Sequence, residues 1–193
     1  NEKFYGAELR DETYSILFHD FKKAYDSVSR EYLFFLLEKI GIPKRLIKII
    51  QALYSNVLAF PILTDPHGRT IRMSNGLKQG CPMSPLLFNL AIDPLLTKLS
   101  KLRETDQEAY CDDIGIGSSD WEAFPKALNH ISTFNKASNM ASNASKTFII
   151  TTDPSPPRPC ELLPAEWTSV RYTDKYKYLG VMIGPGVDVN EVF

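Results

Sequence analysis

The chain has 193 residues, of which 44% are hydrophobic and 23% are charged, and its formal net charge is −1. These values are typical of a soluble globular protein, and no apolar stretch approaches the length of a transmembrane helix, so no membrane partner is expected. Its three cysteines are widely spaced and favour neither a disulfide framework nor a zinc site, which is typical of an intracellular protein.

The first predicted element is an apolar strand over residues 15–19 that ends at Asp20. A carboxylate at the end of a buried strand lies at the rim of a sheet, where ligands bind. His19 alternates with Asp20 along the strand, so we expect it on the opposite side as a packed structural histidine. Asp26, beyond the strand, is expected to cap a helix or form a salt bridge.

The middle of the chain is predicted to hold three helices and one hairpin. Capping and turn residues indicate where these elements begin and end. We expect a helix from about Ser29 to Ile40, a helix from Lys44 to Tyr54, a hairpin with its turn at Asp65-Pro66-His67-Gly68, and a helix from the N-cap Ser84 to about Arg103. Pro85 suits the first position of the last helix.

Immediately before that helix, Gln79 and Gly80 lie in a segment that cannot form a regular element, because Pro82 follows them. Such a segment presents an amide side chain and free backbone donors toward a cleft, as a site for a base pair or a phosphate would. An ordinary loop before a capped helix explains these residues equally well.

Two adjacent carboxylates, Asp112 and Asp113, follow Tyr110 and Cys111 at a predicted hairpin bend. Like charges at a turn repel, and a bound cation would remove that cost. A solvated turn explains the pair if it is considered alone, but Asp20 supplies a carboxylate from a second segment. A pair of Mg²⁺ ions about 3.5–4 Å apart needs carboxylates from separate segments, so the pattern favours in-line phosphoryl or nucleotidyl transfer.

The remaining predicted elements follow in order. They are a helix to about Asn139 that starts at a capping box of Ser119 and Glu122, a strand from Lys146 to Thr152, a proline-rich loop over residues 153–164, and a final hairpin from Tyr172 to Ile183.

Four ordered blocks of this sequence resemble reverse transcriptases, specifically those of non-LTR (LINE-like) retrotransposons. The blocks are Phe18-His19-Asp20-Phe21-Lys22-Lys23-Ala24-Tyr25-Asp26-Ser27-Val28, Leu77-Lys78-Gln79-Gly80-Cys81-Pro82-Met83-Ser84-Pro85-Leu86-Leu87-Phe88-Asn89, Tyr110-Cys111-Asp112-Asp113, and Tyr178-Leu179-Gly180. The resemblance covers nearly the whole chain. Two positions depart from the family's usual residues, since Cys111 stands where Ala is usual and Tyr25 where Phe is frequent.

The resemblance implies an α+β fold, a polymerase palm with a ferredoxin-like βαββαβ core and part of the fingers inserted. The implied division is a palm over residues 1–152 with a fingers insertion at about 27–76, a proline-rich loop over 153–164, and a primer-grip hairpin over 165–193 that ends the palm. The family's remaining fingers and its thumb are expected as partner segments of a parent polyprotein.

The resemblance also implies roles for individual residues. Asp20, Asp112 and Asp113 would be the catalytic acids that bind two Mg²⁺ ions, for which Mn²⁺ can substitute, with the carbonyl of Phe21 as a further ligand. Tyr25 would be the steric gate, Gln79 and Gly80 would support the templating pair, and Tyr178, Leu179 and Gly180 would grip the primer. Lys146 matches a lysine proposed to protonate the leaving pyrophosphate, although a lysine at a strand edge is also an ordinary protection against aggregation.

The implied function is RNA-directed DNA polymerisation, which extends a DNA primer on an RNA template from deoxynucleoside triphosphates during retrotransposition. An active element would place the protein in the nucleus. The alternative is an inactive RNA-binding scaffold or a decayed remnant, while the bulky Tyr25 disfavours an RNA-dependent RNA polymerase. The net charge lends no support to nucleic-acid binding, so we expect the missing segments to carry positive surface and the isolated chain to be inactive.

Overall fold

The structure is a computed structural model that describes residues 2–59, 70–103 and 105–187. Its α-helices in these residues are α1 (Glu2–Arg10), α2 (Ala24–Ser27), α3 (Arg30–Lys39), α4 (Lys44–Tyr54), α5 (Ser84–Leu99), α6 (Ala123–Ser138) and α7 (Pro159–Leu162). Its strands are β1 (Ser15–His19), β2 (Phe21–Lys22), β3 (Leu58–Ala59), β4 (Ile71–Arg72), β5 (Thr105–Tyr110), β6 (Asp113–Ser118), β7 (Ala141–Ser142), β8 (Phe148–Thr151), β9 (Arg171–Tyr172), β10 (Tyr176–Tyr178) and β11 (Val181–Ile183). None of the helices in these ranges is long and apolar enough to span a membrane.

A five-stranded sheet in the order β5-β6-β1-β8-β9 forms the centre of the fold. The central strand β1 runs antiparallel to both β6 and β8, and all five of its residues are buried. In chain order β1, α5, β5, β6, α6 and β8 make the βαββαβ core, with β2, α2, α3, α4, β3 and β4 between β1 and α5. The expected α+β palm architecture is therefore confirmed.

The two faces of β1 pack against different clusters, because side chains alternate along a strand. Leu17 belongs to the larger cluster, which includes Phe88 of α5 and Phe124 of α6. Ile16 and Phe18 belong to a smaller cluster on the other face, with Phe4, Ile150, Tyr178 and Ile183. A shift of β1 by one residue would exchange these faces, so burial on both sides fixes its register and the place where it ends.

Several local predictions agree with the structure. The helix expected after Ser29 is α3, and the Ser29 hydroxyl accepts a hydrogen bond from the Tyr32 amide at 3.2 Å. The helix expected from Lys44 to Tyr54 has those bounds. Strands β3 and β4 pair as a hairpin, while its predicted turn, Asp65-Pro66-His67-Gly68, lies outside the described residues.

The predicted N-cap role of Ser84 is wrong. Helix α5 begins at Ser84 itself, and Met83 is its N-cap residue without a side-chain cap. The Ser84 hydroxyl instead donates to the Lys78 carbonyl at 2.6 Å and bonds to the Tyr54 hydroxyl at 3.0 Å. A tertiary partner therefore replaced the local cap, and the helix ends at Leu99, short of the expected Arg103.

The capping box predicted at Ser119 and Glu122 is also wrong. Helix α6 begins at Ala123, and Glu122 is an N-cap residue whose side chain makes no capping bond. The Asp120 carboxylate takes the local role, because it accepts a hydrogen bond from the Glu122 amide at 2.9 Å. The helix ends at Ser138, before Asn139 as expected.

Three boundaries in the last third of the chain differ from prediction. Strand β8 begins at Phe148, since Lys146 ends a 3₁₀ turn that starts at Ala144. The proline-rich loop contains the short helix α7, in which Pro159 occupies the first turn, where its missing amide costs no hydrogen bond. The final hairpin consists of β10 and β11 alone, because β9 instead pairs in parallel with β8.

Candidate active site

The end of β1 places Asp20 beside the acidic hairpin. His19, the last residue of β1, pairs with Ile114 of β6, and the next residue, Asp20, lies close enough to Asp113 for their charges to interact. The Asp20 carbonyl accepts a hydrogen bond from the Asn143 amide at 2.8 Å, which holds the chain where it leaves the sheet. Asp20 and Asp113, 93 positions apart in the sequence, are thereby brought to one edge of the sheet.

The acidic pair lies on a tight hairpin, as predicted. Tyr110 and Asp113 form its last pair, so Cys111 and Asp112 are the two-residue turn. Cys111 has a φ of 54°, the left-handed conformation that such turns require. The turn places Asp112 at its tip and Asp113 at the first position of β6.

The three carboxylates interact electrostatically. Burial raises the pKa of Asp113, and the negative charges of Asp112 and Asp20 raise it further. In the part of the chain that the structure describes, no three His, Cys, Asp or Glu side chains converge closely enough to hold a metal ion. The acids are thus neighbours without forming a preformed cage, and their all-oxygen donor set is the one that Mg²⁺ prefers.

A cavity of about 580 Å³ adjoins Asp20. Phe21 and Lys146 line it with Asp20, so these three predicted residues share one surface. Lys146 is exposed at the end of its 3₁₀ turn, and the strand-edge position expected for it is not observed. The Phe21 side chain is buried and packs edge-on against Phe134.

Tyr25 lies between the acidic hairpin and α5. Its ring stacks on Phe88 with a centroid separation of 4.5 Å and an interplanar angle of 10°. Burial raises the pKa of the Tyr25 hydroxyl, and interactions with Cys111 and Asp112 raise it further. The ring is therefore held by packing while its hydroxyl lies in the field of the acidic turn.

Gln79 and Gly80 line a separate cavity of about 400 Å³ together with Tyr25. The Gln79 side-chain amide donates a hydrogen bond to the Asp26 carboxylate at 3.1 Å. The observed partner of Asp26 is thus an amide, and the helix cap or salt bridge expected for it is not what the structure records. This contact joins the loop before α5 to the segment that carries Tyr25.

The β10–β11 hairpin packs directly behind the acidic hairpin. Leu179 and Gly180 form its two-residue turn, with φ values of 50° and 89°. Tyr178 is buried against Phe18, and its hydroxyl donates to the Asp113 carbonyl at 3.4 Å. One of the three predicted primer-grip residues, Tyr178, is therefore in contact with the predicted metal-binding segment.

Tyr176 is a residue near the acids that sequence reasoning missed. Its ring stacks on Phe18 at 4.6 Å, and the negative charges of Asp113 and Asp20, after burial, raise the pKa of its hydroxyl. The sequence carries no local signal for this proximity, because it depends on how the last hairpin packs on β1.

His19 is buried on the opposite side of the sheet, as predicted for a structural histidine. Its Nε2 forms a hydrogen bond with the Ser142 hydroxyl at 2.8 Å, and its ring contacts Phe21 and Trp167. Complete burial lowers its pKa from 6.5 to about 3. The folded protein therefore holds this imidazole neutral.

This burial predicts a loss of stability in mild acid. The unfolded chain binds a proton at His19 below pH 6.5 while the folded chain does not, so the stabilisation is present above pH 6.5 and falls as the pH drops toward 3. Between pH 6.5 and 5 the loss would reach up to about 2 kcal/mol. Urea unfolding at several pH values between 5 and 7 measures it.

The matched control for this prediction is His130→Asn, on a partly exposed face of α6, which should keep the same pH dependence. His19→Gln should instead make the free energy of unfolding depend less on pH between pH 5 and 7. An identical slope in His19→Gln and the unaltered chain would contradict the assignment.

The sheet order and the βαββαβ core are those of the polymerase palm fold. A family model described as reverse transcriptase (RNA-dependent DNA polymerase) matches residues 5–183. The chain belongs to this family.

Curated relatives of this chain include Pol polyproteins of R2 retrotransposable elements. The protein of element R2DM from Drosophila melanogaster is 28% identical over 177 residues, which cover 84% of this chain and 17% of the relative. The R2 protein of Nasonia vitripennis is 26% identical over 179 residues, which cover 84% of this chain and 18% of that relative. The resemblance to reverse transcriptases of non-LTR retrotransposons is confirmed, and the chain spans less than a fifth of the length of these relatives.

Solved structures of telomerase share the fold. One is telomerase from Candida tropicalis in complex with a TWJ fragment of telomeric RNA. The match covers 94% of this chain and 30% of the telomerase chain, with a TM-score of 0.67 and 14% sequence identity. Telomerase from Candida albicans matches 95% of this chain and 32% of its own, with a TM-score of 0.62 and 12% identity. At this identity the similarity shows the fold alone.

Proposed function

We propose that this chain is the palm, with part of the fingers, of an RNA-directed DNA polymerase that extends a DNA primer on an RNA template. The observation that carries the proposal is the meeting of Asp20 with Asp112 and Asp113 at one edge of the sheet, where their charges interact. Membership of the reverse transcriptase family supports the same activity. The proposed division remains a palm over 1–152 with an insertion at about 27–76, a loop over 153–164 and a hairpin over 165–193.

The carboxylates of Asp20, Asp112 and Asp113, with the carbonyl of Phe21, would hold two Mg²⁺ ions, and Mn²⁺ can substitute. When bound, such ions lower the pKa of a primer 3′-hydroxyl and neutralise charge on the triphosphate. The raised pKa of Asp113 supports the assignment, because clustered carboxylates favour a bound cation.

The nucleotide would lie between Tyr25 and the loop that carries Gln79 and Gly80, which line one cavity. Tyr25 excludes a 2′-hydroxyl by overlap, since stacking on Phe88 prevents its ring from withdrawing. Lys146, exposed beside the cavity at Asp20, would donate a proton to the leaving pyrophosphate.

The primer end would rest on Tyr178, Leu179 and Gly180. The buried Tyr178 fixes the hairpin to the acidic segment, while Leu179 is exposed at the tip. The Tyr178 hydroxyl would thereby help to set the position of the primer end relative to Asp113. The further partners are deoxynucleoside triphosphates and the remaining fingers and thumb of the parent polypeptide, and insertion into chromosomal DNA would take place in the nucleus.

The direct test is primer extension on an RNA template by the full-length polypeptide in the presence of Mg²⁺. Template-dependent DNA synthesis is expected. Nucleic-acid binding without synthesis, by protein with all three acids intact, would contradict the polymerase and favour a scaffold.

Tyr25→Ala is expected to raise incorporation of ribonucleotides relative to deoxyribonucleotides, by about tenfold or more. The alanine removes the ring that would overlap a 2′-hydroxyl. The ratio of kcat/KM values for the two nucleotide classes measures the effect. Tyr25→Phe keeps the ring on Phe88 and should retain discrimination, and an unchanged ratio in Tyr25→Ala would place the gate elsewhere.

A further inference from the structure

Arg30 is the first residue of α3, and its guanidinium contacts four backbone carbonyls. Its Nε donates to the carbonyl of Gly76 at 2.9 Å, and its Nη2 donates to that of Asn75 at 3.1 Å. Its Nη1 donates to the carbonyls of Tyr54 at 3.0 Å and Met73 at 2.9 Å. One side chain therefore joins the end of α4 to residues 73–77, which we call the strap.

The strap is also held against the segment that carries Tyr25. The Gly76 amide donates to the Val28 carbonyl at 3.0 Å, and the Leu77 amide donates to the Tyr25 carbonyl at 2.7 Å. Arg30 thus binds carbonyl groups of the strap, while the carbonyls of Val28 and Tyr25 accept hydrogen bonds from strap amides. The strap is therefore held through both its carbonyl and its amide groups.

Residues 78–83, the nucleotide-side loop, continue directly from the strap. The Lys78 ammonium donates a hydrogen bond to the Leu53 carbonyl at 2.6 Å. Both this ammonium and the Arg30 guanidinium lie over the ring of Tyr54. The Ser84 hydroxyl donates to the Lys78 carbonyl and bonds to the Tyr54 hydroxyl. Tyr54 and Arg30 thus form one packed unit beneath the start of the loop.

We propose that Arg30 is a positioning residue, which holds the strap and thereby places Gln79 and Gly80 against the incoming nucleotide and its templating base. The last step rests on the proposed function, whereas the hold on the strap does not. Arginine suits this role because its planar guanidinium presents five N–H donors in a fixed fork. A lysine ammonium carries three donors on a compact head and cannot reach four dispersed carbonyls.

Two measurements on the full-length polypeptide test the proposal. Amide hydrogen exchange of a peptide spanning residues 73–81 reports the strap, and steady-state kinetics of primer extension reports the nucleotide. In Arg30→Gln we expect exchange at least about tenfold faster in this peptide. We expect the KM for the nucleotide to rise about tenfold with kcat reduced less than about threefold, and Arg30→Lys to recover only part of either change.

Two controls separate positioning from general stability. Ile131→Val, in the buried face of α6, lowers stability without touching the strap, and Arg158→Gln removes an exposed arginine paired with Glu161. Both should keep wild-type exchange in residues 73–81 and a wild-type nucleotide KM.

Wild-type exchange of residues 73–81 in Arg30→Gln would overturn the hold on the strap. Faster exchange with an unchanged nucleotide KM would overturn the link to nucleotide placement, and so would the same KM increase in Ile131→Val. Absence of primer extension by the unaltered protein would instead refute the proposed function, while the exchange comparison would still decide whether Arg30 holds the strap.

Discussion

Asp112→Asn in the full-length polypeptide is expected to lower primer extension by several orders of magnitude, and Asp20→Asn should do the same. Each substitution keeps the shape of the side chain and removes one negative charge from the shared edge of the sheet. The charge matters because the acids already interact, as the raised pKa of Asp113 shows. Single-turnover extension of a labelled primer on an RNA template measures the loss.

The fold should survive both substitutions. Asp20 and Asp112 are only partly buried, and Asp20 is anchored through its backbone carbonyl, which asparagine retains. Asp11→Asn is a matched control, because Asp11 is exposed and has a φ of 56°, a conformation that asparagine tolerates well. Near wild-type extension by Asp112→Asn, with a normal thermal unfolding curve, would refute the polymerase proposal.

The parts of the fold that the sequence predicts well are those in which a local pattern and tertiary packing agree. The apolar run before Asp20 forms β1 because both of its faces are covered, and the alternation puts His19 opposite Asp20. The strand-like residues on both sides of the acidic pair likewise predict the hairpin, whose two-residue turn in the structure is Cys111 and Asp112.

The capping prediction for Ser84 failed because tertiary contacts competed for the same hydroxyl group. The Ser84 hydroxyl looks like a cap in the sequence, but Tyr54 and Lys78 lie beside it in the fold and take its hydrogen bonds. The short helix α1 was not predicted either. Its buried Phe4 packs on a sheet face that forms only when distant strands assemble.

The same reasoning explains what could be expected of the candidate site. Asp20, Asp112 and Asp113 stand out because carboxylates at strand ends are conspicuous in a sequence. Arg30 and Tyr176 do not, since an arginine at a helix start and a tyrosine in a short strand are ordinary residues there. Their interest arises only from contacts with residues more than twenty positions away.

The largest loss of stability is expected from Gly76→Ala, in the strap that Arg30 holds. Gly76 has a φ of +78°, and a Cβ there would lie 2.6 Å from the carbonyl carbon and 2.7 Å from the Cα of Asp26. The left-handed conformation costs roughly 1–2 kcal/mol and the overlap roughly a further 1–3 kcal/mol, so the total loss is about 2–5 kcal/mol. The free energy of unfolding in urea measures it.

Relief by a small backbone shift is blocked at Gly76. Its amide is bonded to Val28, its carbonyl is bonded to Arg30, and the next amide is bonded to Tyr25, so any shift breaks at least one of these hydrogen bonds. Gly80→Ala is the matched control, because Gly80 also has a φ of +78° but no atom lies within 4 Å of an added Cβ. It should lose only about 1–2 kcal/mol. Equal losses in the two variants would show that backbone strain alone accounts for the effect and that the strap yields to the added methyl group.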